Sequence, residues 1–196
     1  MVKPRCRGEA CLIRYADDYV AAFQYQVDAE HFYRELGPRL GKFGLEGAPD
    51  KTRVIPFSSQ QARGRTSFDF LGFEFRWGTN RAGKPHLKRR TARKTLRRSI
   101  QQFTAWCRET CRHRAKDVFR ELNAKLRGYY RYYGVSGNYP SLQQFFYRAM
   151  HILMKWLNRR SQRRSYTWPG FKELLRHFQV ERPRLVGRPQ RVTSEA

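Results

Sequence analysis

The sequence predicts an α+β protein in which a small β-rich segment is followed by an all-α, strongly basic one. Residues 1–77 alternate short apolar, β-leaning runs with turn residues, whereas residues 78–180 switch to apolar spacings of three and four. Charge divides at nearly the same place. The 196 residues carry 41 Lys+Arg against 16 Asp+Glu, a formal net charge of +25. Residues 1–72 hold 11 basic and 9 acidic groups, a net of +2, and residues 73–196 hold the other 30 and 7, a net of +23.

The first β-leaning run is Cys11-Leu12-Ile13-Arg14-Tyr15; Ala16-Asp17-Asp18 interrupts it and Tyr19 to Phe23 resumes it. That is a hairpin pattern with two carboxylates at its tip. Asp28 reads as the N-cap of a helix whose face carries Ala29, Phe32, Leu36, Leu40 and Phe43. Gly37-Pro38 leaves that helix either kinked or split. Thr52 to Phe57 reads as a short strand, and after a polar loop Phe68 to Phe75 reads as another, with the β part ending near Trp77.

Turn residues Gly78 to Pro85 precede the change of period. In residues 90–111, Leu96, Ile100, Phe103 and Cys107 share a face, with Arg93, Arg97, Arg98 and Arg108 mostly off it. Phe119, Leu122, Leu126, Tyr130 and Tyr133 form the next stripe, closed by Gly134 and Gly137. Asn138 to Ser141 opens a third basic helix carrying Leu142, Phe145, Phe146, Met150, Leu153 and Trp156. A last helix covers about Pro169 to Phe178, and residues 181–196 read as a basic, disordered tail.

A charge surplus of this size calls for a polyanionic partner. Hydrophobic content of 40% and aromatic content of 15% exclude a disordered basic arm for the chain as a whole. No apolar run approaches the roughly 20 residues that span a bilayer, and no signal-like core follows Met1, so no membrane association is expected. Cys6, Cys11, Cys107 and Cys111 form no recognised disulfide framework, which fits a reducing cytoplasm. Cys107, Cys111 and His113 are close enough on a helix for zinc, but with no fourth ligand nearby they read as buried thiols.

Adjacent carboxylates raise each other's pKa, and a divalent cation relieves the conflict. Mg²⁺ takes one or two protein carboxylates together with water and substrate phosphates, so Asp17 and Asp18 suit two-metal phosphoryl transfer, although a solvated Asp-Asp turn has the same spacing. Their context carries a resemblance. Arg14-Tyr15-Ala16-Asp17-Asp18 between apolar runs resembles the YxDD motif of reverse transcriptases, in the RYADD form of group II intron proteins. Phe43-Gly44-Leu45 with Asp50 to Arg53, and Phe68 to Phe73, are similar to the later palm motifs of that family. Leu126-Arg127-Gly128-Tyr129-Tyr130-Arg131-Tyr132-Tyr133 resembles the LRGWxNYY signature of its maturase domain, and Met154 to Leu157 the final helices.

The resemblance covers residues 8–180 and implies a partial reverse-transcriptase palm followed by a basic thumb and maturase domain. It implies that Asp17 and Asp18 are catalytic metal ligands, and that Tyr15 and Lys51 bind the incoming nucleotide. It also implies that the two-metal Mg²⁺ site is incomplete, because the family draws a third carboxylate from an earlier strand and residues 1–10 offer only Glu9. Unaided polymerase activity is therefore not expected.

Lys88, Arg89, Arg90, Arg93, Arg97 and Arg98 form the first basic cluster assigned to RNA. Arg127, Tyr129, Arg131 and Tyr132 lie off the apolar stripe and are assigned to phosphates and unpaired bases, and Arg159, Arg160, Arg163 and Arg164 form a third cluster. The expected partners are structured group II intron RNA and a template/primer duplex. Two further functions remain open: a catalytically inert RNA-binding remnant, and half of a split polymerase completed in trans by an upstream-encoded partner.

Overall fold

The computed structural model describes residues 6–59, 66–159 and 166–186. It is mixed α+β, with five α-helices and two small antiparallel sheets among the described residues. The chain divides into two compact units, one of Met1–Leu71 and Phe75–Lys88, the other of Gly72–Glu74 and Arg89–Ala196.

In the first unit, β1 (Ala10–Tyr15) and β2 (Asp18–Phe23) pair in antiparallel register from Ala10 opposite Phe23 to Tyr15 opposite Asp18. Ala16 and Asp17 are the whole loop, and Ala16 takes the left-handed φ of 52° that so short a turn demands. The side chain of Arg14 braces the turn by donating to the Ala16 carbonyl at 2.7 Å. On β2, Tyr19, Val20, Ala21 and Phe23 are half-buried, whereas Leu12, Ile13 and Tyr15 of β1 are all more than half exposed. Helix α1 (Gln26–Gly41) packs Phe32 against Phe23, with ring centroids 5.3 Å apart.

Three expectations change in this unit. The helix starts before Asp28, which is buried in its first turn and accepts from the backbone amides of Arg7 (3.0 Å) and Gly8 (3.3 Å) instead of capping. Gly37-Pro38 neither splits nor ends α1, which continues to Gly41. Thr52 to Phe57 forms no strand; a single 3-10 turn, Pro49–Lys51, leads into irregular chain. Among the described residues no strand pairs with it, and its Phe57 serves an aromatic cluster with Phe68 (4.9 Å) and Trp77 (5.8 Å).

The segment Phe68 to Phe75 is a hairpin, not one strand. Strands β3 (Ser67–Phe70) and β4 (Phe73–Thr79) are joined by Leu71-Gly72, both at positive φ (50° and 76°), as a two-residue primed turn requires. A third strand, β5 (Pro85–Thr91), follows in the order β3-β4-β5. The Asn80 side chain shapes the β4–β5 connection by accepting from the amides of Ala82 and Lys84, both at 2.9 Å. The β part thus reaches Thr91, beyond Trp77.

The second unit is built on four helices: α2 (Arg93–Thr110), α3 (Ala115–Tyr133), α4 (Tyr139–Asn158) and α5 (Trp168–His177). Their apolar stripes converge on one core containing Leu96, Phe103 and Cys107, Val118, Leu122 and Tyr130, Leu142, Leu153 and Leu157, and Phe171. At 20–33 cal/mol for each Å² of apolar surface removed from water, this burial is the main favourable contribution to the unit's stability. Cys107 and Cys111 are buried in that core while His113 is exposed. A hydrogen bond with Cys111, and then burial, push the Cys107 thiol far above its ordinary range.

Residues 181–186 are not a loose tail. The Asn123 side chain accepts from the Glu181 amide at 2.9 Å and donates to the Phe178 carbonyl at 3.1 Å, and the Val186 amide donates to the Gly134 carbonyl at 2.7 Å. Gly134 is needed there because a Cβ would collide with the Tyr130 carbonyl and lie 2.8 Å from that of Arg184. Residues 187–196 lie outside the described residues. Among the described residues, no helix is long and apolar enough to cross a membrane.

Candidate nucleic-acid interface

Two groups of sequence-selected residues are brought together, one in each unit. In the first unit the hairpin carries Tyr15, Asp17 and Asp18 to its tip, all exposed to solvent. Tyr15 and Asp18 are the closing pair of the hairpin, so they face each other across the strands, with Asp17 on the loop between them. Lys51 is exposed on the 3-10 turn, where its amide donates to the Ala48 carbonyl at 3.0 Å.

The donor chemistry of Asp17 and Asp18 fits Mg²⁺: both offer hard carboxylate oxygens, open to water and to substrate phosphates. The donor number does not complete a site. No group of three or more His, Cys, Asp or Glu side chains gathers around a possible metal position among the described residues. Mg²⁺ ordinarily fills the rest of its octahedral shell with water and substrate phosphate oxygens.

In the second unit the basic residues sort into those engaged by the fold and those left to solvent. Arg90 belongs to the first kind. Its guanidinium grips the carboxylate of Glu74, which is 12% exposed, with Nη2 at 2.8 Å and 2.9 Å and Nε at 3.1 Å. Arg89 donates from Nε to the Ser136 carbonyl at 3.2 Å. Both were assigned to RNA; strand pairing instead aims them at protein acceptors. Arg127 is also partly engaged, 3.4 Å from Glu181. In the first unit Lys88 is exposed, and its stem passes over Gly78, where a Cβ would come within 2.9 Å of it.

Tyr129 is a further correction. It lies parallel to Phe145 with ring centroids 3.8 Å apart, and its hydroxyl is buried near Thr91 and Ser99 without a well-formed hydrogen bond. Burial pushes its phenol well above the usual range. One face of the half-buried ring is taken by Phe145, and Tyr133 approaches it at 4.7 Å. Tyr132 is 53% exposed and stacks on Phe73 at 6.0 Å, and Arg131 is exposed beside it in sequence.

Arg93, Arg97 and Arg98 are all exposed on α2. At 100° per residue, Arg93 and Arg97 flank the core-facing stripe and Arg98 points almost directly away from it. The helix has no acidic residue in its first turn and no side-chain cap, and Glu109 is its one acid. Arg93 and Lys94 therefore stand at the positive end of the helix macrodipole, where each cation costs about 0.3–1 kcal/mol. An anion placed there would relieve that repulsion and bond to free backbone amides.

Farther along α2, an open groove of about 780 Å³ is lined by Gln101, Thr104, Ala105, Arg108, Glu109, Trp156 and Arg159. Arg159 lies over the Trp156 ring at 5.1 Å. Neither Arg108 nor Trp156 belongs to the sequence clusters assigned to RNA; the signal for Arg108 is its place about three helical turns after Arg97 on the same side, whereas Trp156 reads as part of its helix's apolar stripe. Arg160, Arg163 and Arg164 lie outside the described residues. In comparisons with known proteins, the chain matches no family model, no curated protein and no solved structure.

Proposed function

We propose that this chain is the C-terminal part of a group II intron reverse transcriptase/maturase, and that its basic helical unit binds structured RNA. The observation that carries the RNA-binding part is the N-terminal half of α2. It concentrates Arg93, Lys94, Arg97 and Arg98 at a helix end that disfavours cations and has no acid to offset them. Phosphate groups supply the missing negative charge, and RNA supplies them in a continuous array.

In this reading Tyr15-Ala16-Asp17-Asp18 is the metal-bearing hairpin of the palm. Bound Mg²⁺ would stabilise the charge that develops during nucleotidyl transfer. Asp17 and Asp18 would hold it, while Tyr15 and Lys51 would position the nucleotide. The apolar side chains of Leu12, Ile13 and Tyr15, left exposed on β1, support a hairpin that belongs to a larger sheet. The same exposure, with both Asp17 and Asp18 retained at the tip, favours a split polymerase completed in trans over an inert remnant.

The test is titration of the chain with a labelled, folded group II intron RNA at rising salt, beside primer extension with Mg²⁺ on an RNA template. Steeply salt-dependent binding is expected, without extension by the chain alone. A salt-independent affinity would remove the phosphate-binding reading. Extension by the chain alone that disappears in D17A/D18A would show a complete polymerase site. Extension that appears only with an upstream-encoded half would establish the split form.

A further inference from the structure

A second surface of the helical unit is aromatic. Tyr147 and His151 stand one turn apart on α4, with ring centroids 4.4 Å apart. Trp168, the first residue of α5, meets His151 edge-on at 4.4 Å and contacts the buried Phe171 at 5.8 Å. The three rings form a ladder of inclined rungs, with 58° and 63° between neighbouring planes, and all three residues are exposed, Tyr147 to 66% and Trp168 to 40%. Core packing does not explain this: the buried stripe of α4 runs through Leu142, Phe145, Ala149 and Leu153, and Tyr147 and His151 are not among its buried residues.

The surroundings are cationic. Arg148 adjoins Tyr147 in sequence, Lys155 follows His151 by one turn of α4, and Lys172 follows Trp168 by one turn of α5; all three are exposed. Each rung also has a polar edge: a phenol, an imidazole or an indole N–H. Flat rings with hydrogen-bonding rims, set among lysine and arginine, match unpaired nucleobases on a phosphate backbone. An apolar protein partner would find few aliphatic side chains and a surplus of unmatched charge.

We infer that Tyr147, His151 and Trp168 form a stacking platform for the unpaired bases of a single-stranded nucleic acid. This deepens the RNA-binding reading by assigning double-helical and unpaired regions to different surfaces: cations on α2 for phosphates, the ladder for bases.

The test uses the full chain with fluorescent oligo-uridine, oligo-deoxyuridine and a blunt RNA duplex of equal length. In the variant Y147A/H151A, oligo-uridine affinity should fall about tenfold while duplex affinity stays within about twofold. Tyr147→Phe keeps the ring and should keep the affinity. An equal fall on oligo-deoxyuridine supports recognition of the base without regard to the sugar, and a fall on oligo-uridine alone supports RNA as the ligand. Unchanged oligo-uridine affinity in Y147A/H151A overturns the inference and leaves the patch to a protein partner. Parallel losses on oligo-uridine and duplex also overturn it, because the rings would then be supporting the fold. Failure of the parent chain to bind the duplex would instead sink the α2 reading, with the oligo-uridine arm still deciding the ladder.

Discussion

Asn138 holds Thr91 by two atoms at once: its Oδ1 accepts from the Thr91 amide at 2.7 Å and its Nδ2 donates to the Thr91 hydroxyl at 2.9 Å. The same Nδ2 reaches the Tyr133 carbonyl at 2.8 Å, and the side chain is fully buried. One amide thus joins the end of β5 to the α3–α4 connection, 47 residues apart in sequence. Asn138→Ala leaves the Thr91 amide without its acceptor, while the Tyr133 carbonyl keeps its bond from the Val135 amide, and should cost about 2 kcal/mol in urea unfolding. Asn138→Asp keeps the acceptor and loses the donor, so it should also destabilise.

At the start of α2, stability and binding should respond in opposite directions. Arg93→Glu replaces an unfavourable charge at the helix N-terminus with a favourable one, and should stabilise the chain by about 1 kcal/mol. The same change should weaken RNA binding and lower its log–log salt slope by about 1 or more. A thermal melt and an RNA titration on one preparation check both signs. Arg90→Ala should do the reverse, destabilising through the unpaired Glu74 with little effect on the salt slope.

The hairpin tip can be improved. Ala16 has a φ of 52°, where a Cβ is unfavourable, so Ala16→Gly should stabilise the first unit by about 0.5–1 kcal/mol. The carboxylates stay in place, since the Arg14 bond to residue 16 uses only its backbone carbonyl. Thermal melting of the variant beside the parent chain checks the gain, and an unchanged or lowered melting temperature would count against it.

Thiol reactivity should divide by burial. Cys11 is exposed, so it should react with a disulfide reagent within the native chain. Cys107 and Cys111 are buried, and Cys107 is held as a thiol well above its ordinary pKa, so both should react only on unfolding. Raising the pH towards 9 should still leave Cys107 of the native chain unlabelled. Mass spectrometry of labelled peptides checks the assignment.

The helices were legible because burial sets a period on them. Leu96, Phe103 and Cys107, or Leu122, Leu126 and Tyr130, leave a spacing that only a helix satisfies. Strand β5 was not, because Pro85 to Thr91 is basic and lacks apolar alternation; what makes it a strand is pairing with β4 and the Glu74–Arg90 grip across the two. The Leu71-Gly72 turn was hidden by a leucine in a left-handed conformation seldom adopted by that residue. Among the arginines, sequence marks the cluster but not who is engaged. Arg90 and Arg93 look alike in the chain, and only the position of Glu74 separates them. Tyr129 was misplaced because it sits at the margin of the α3 stripe, where the neighbouring Phe145 decides its orientation.

The segment that Asn123 and Gly134 grip has a consequence for the order in which the helical unit assembles. Its bonds to Glu181 and Val186 close loops of more than fifty residues, whereas the helices need only local contacts to begin. Closing such loops late means that the segment contributes little to the folding rate and acts mainly against unfolding. A segment held this way is a latch on the finished core: Asn123→Ala should speed unfolding in a urea chevron and leave refolding nearly unchanged.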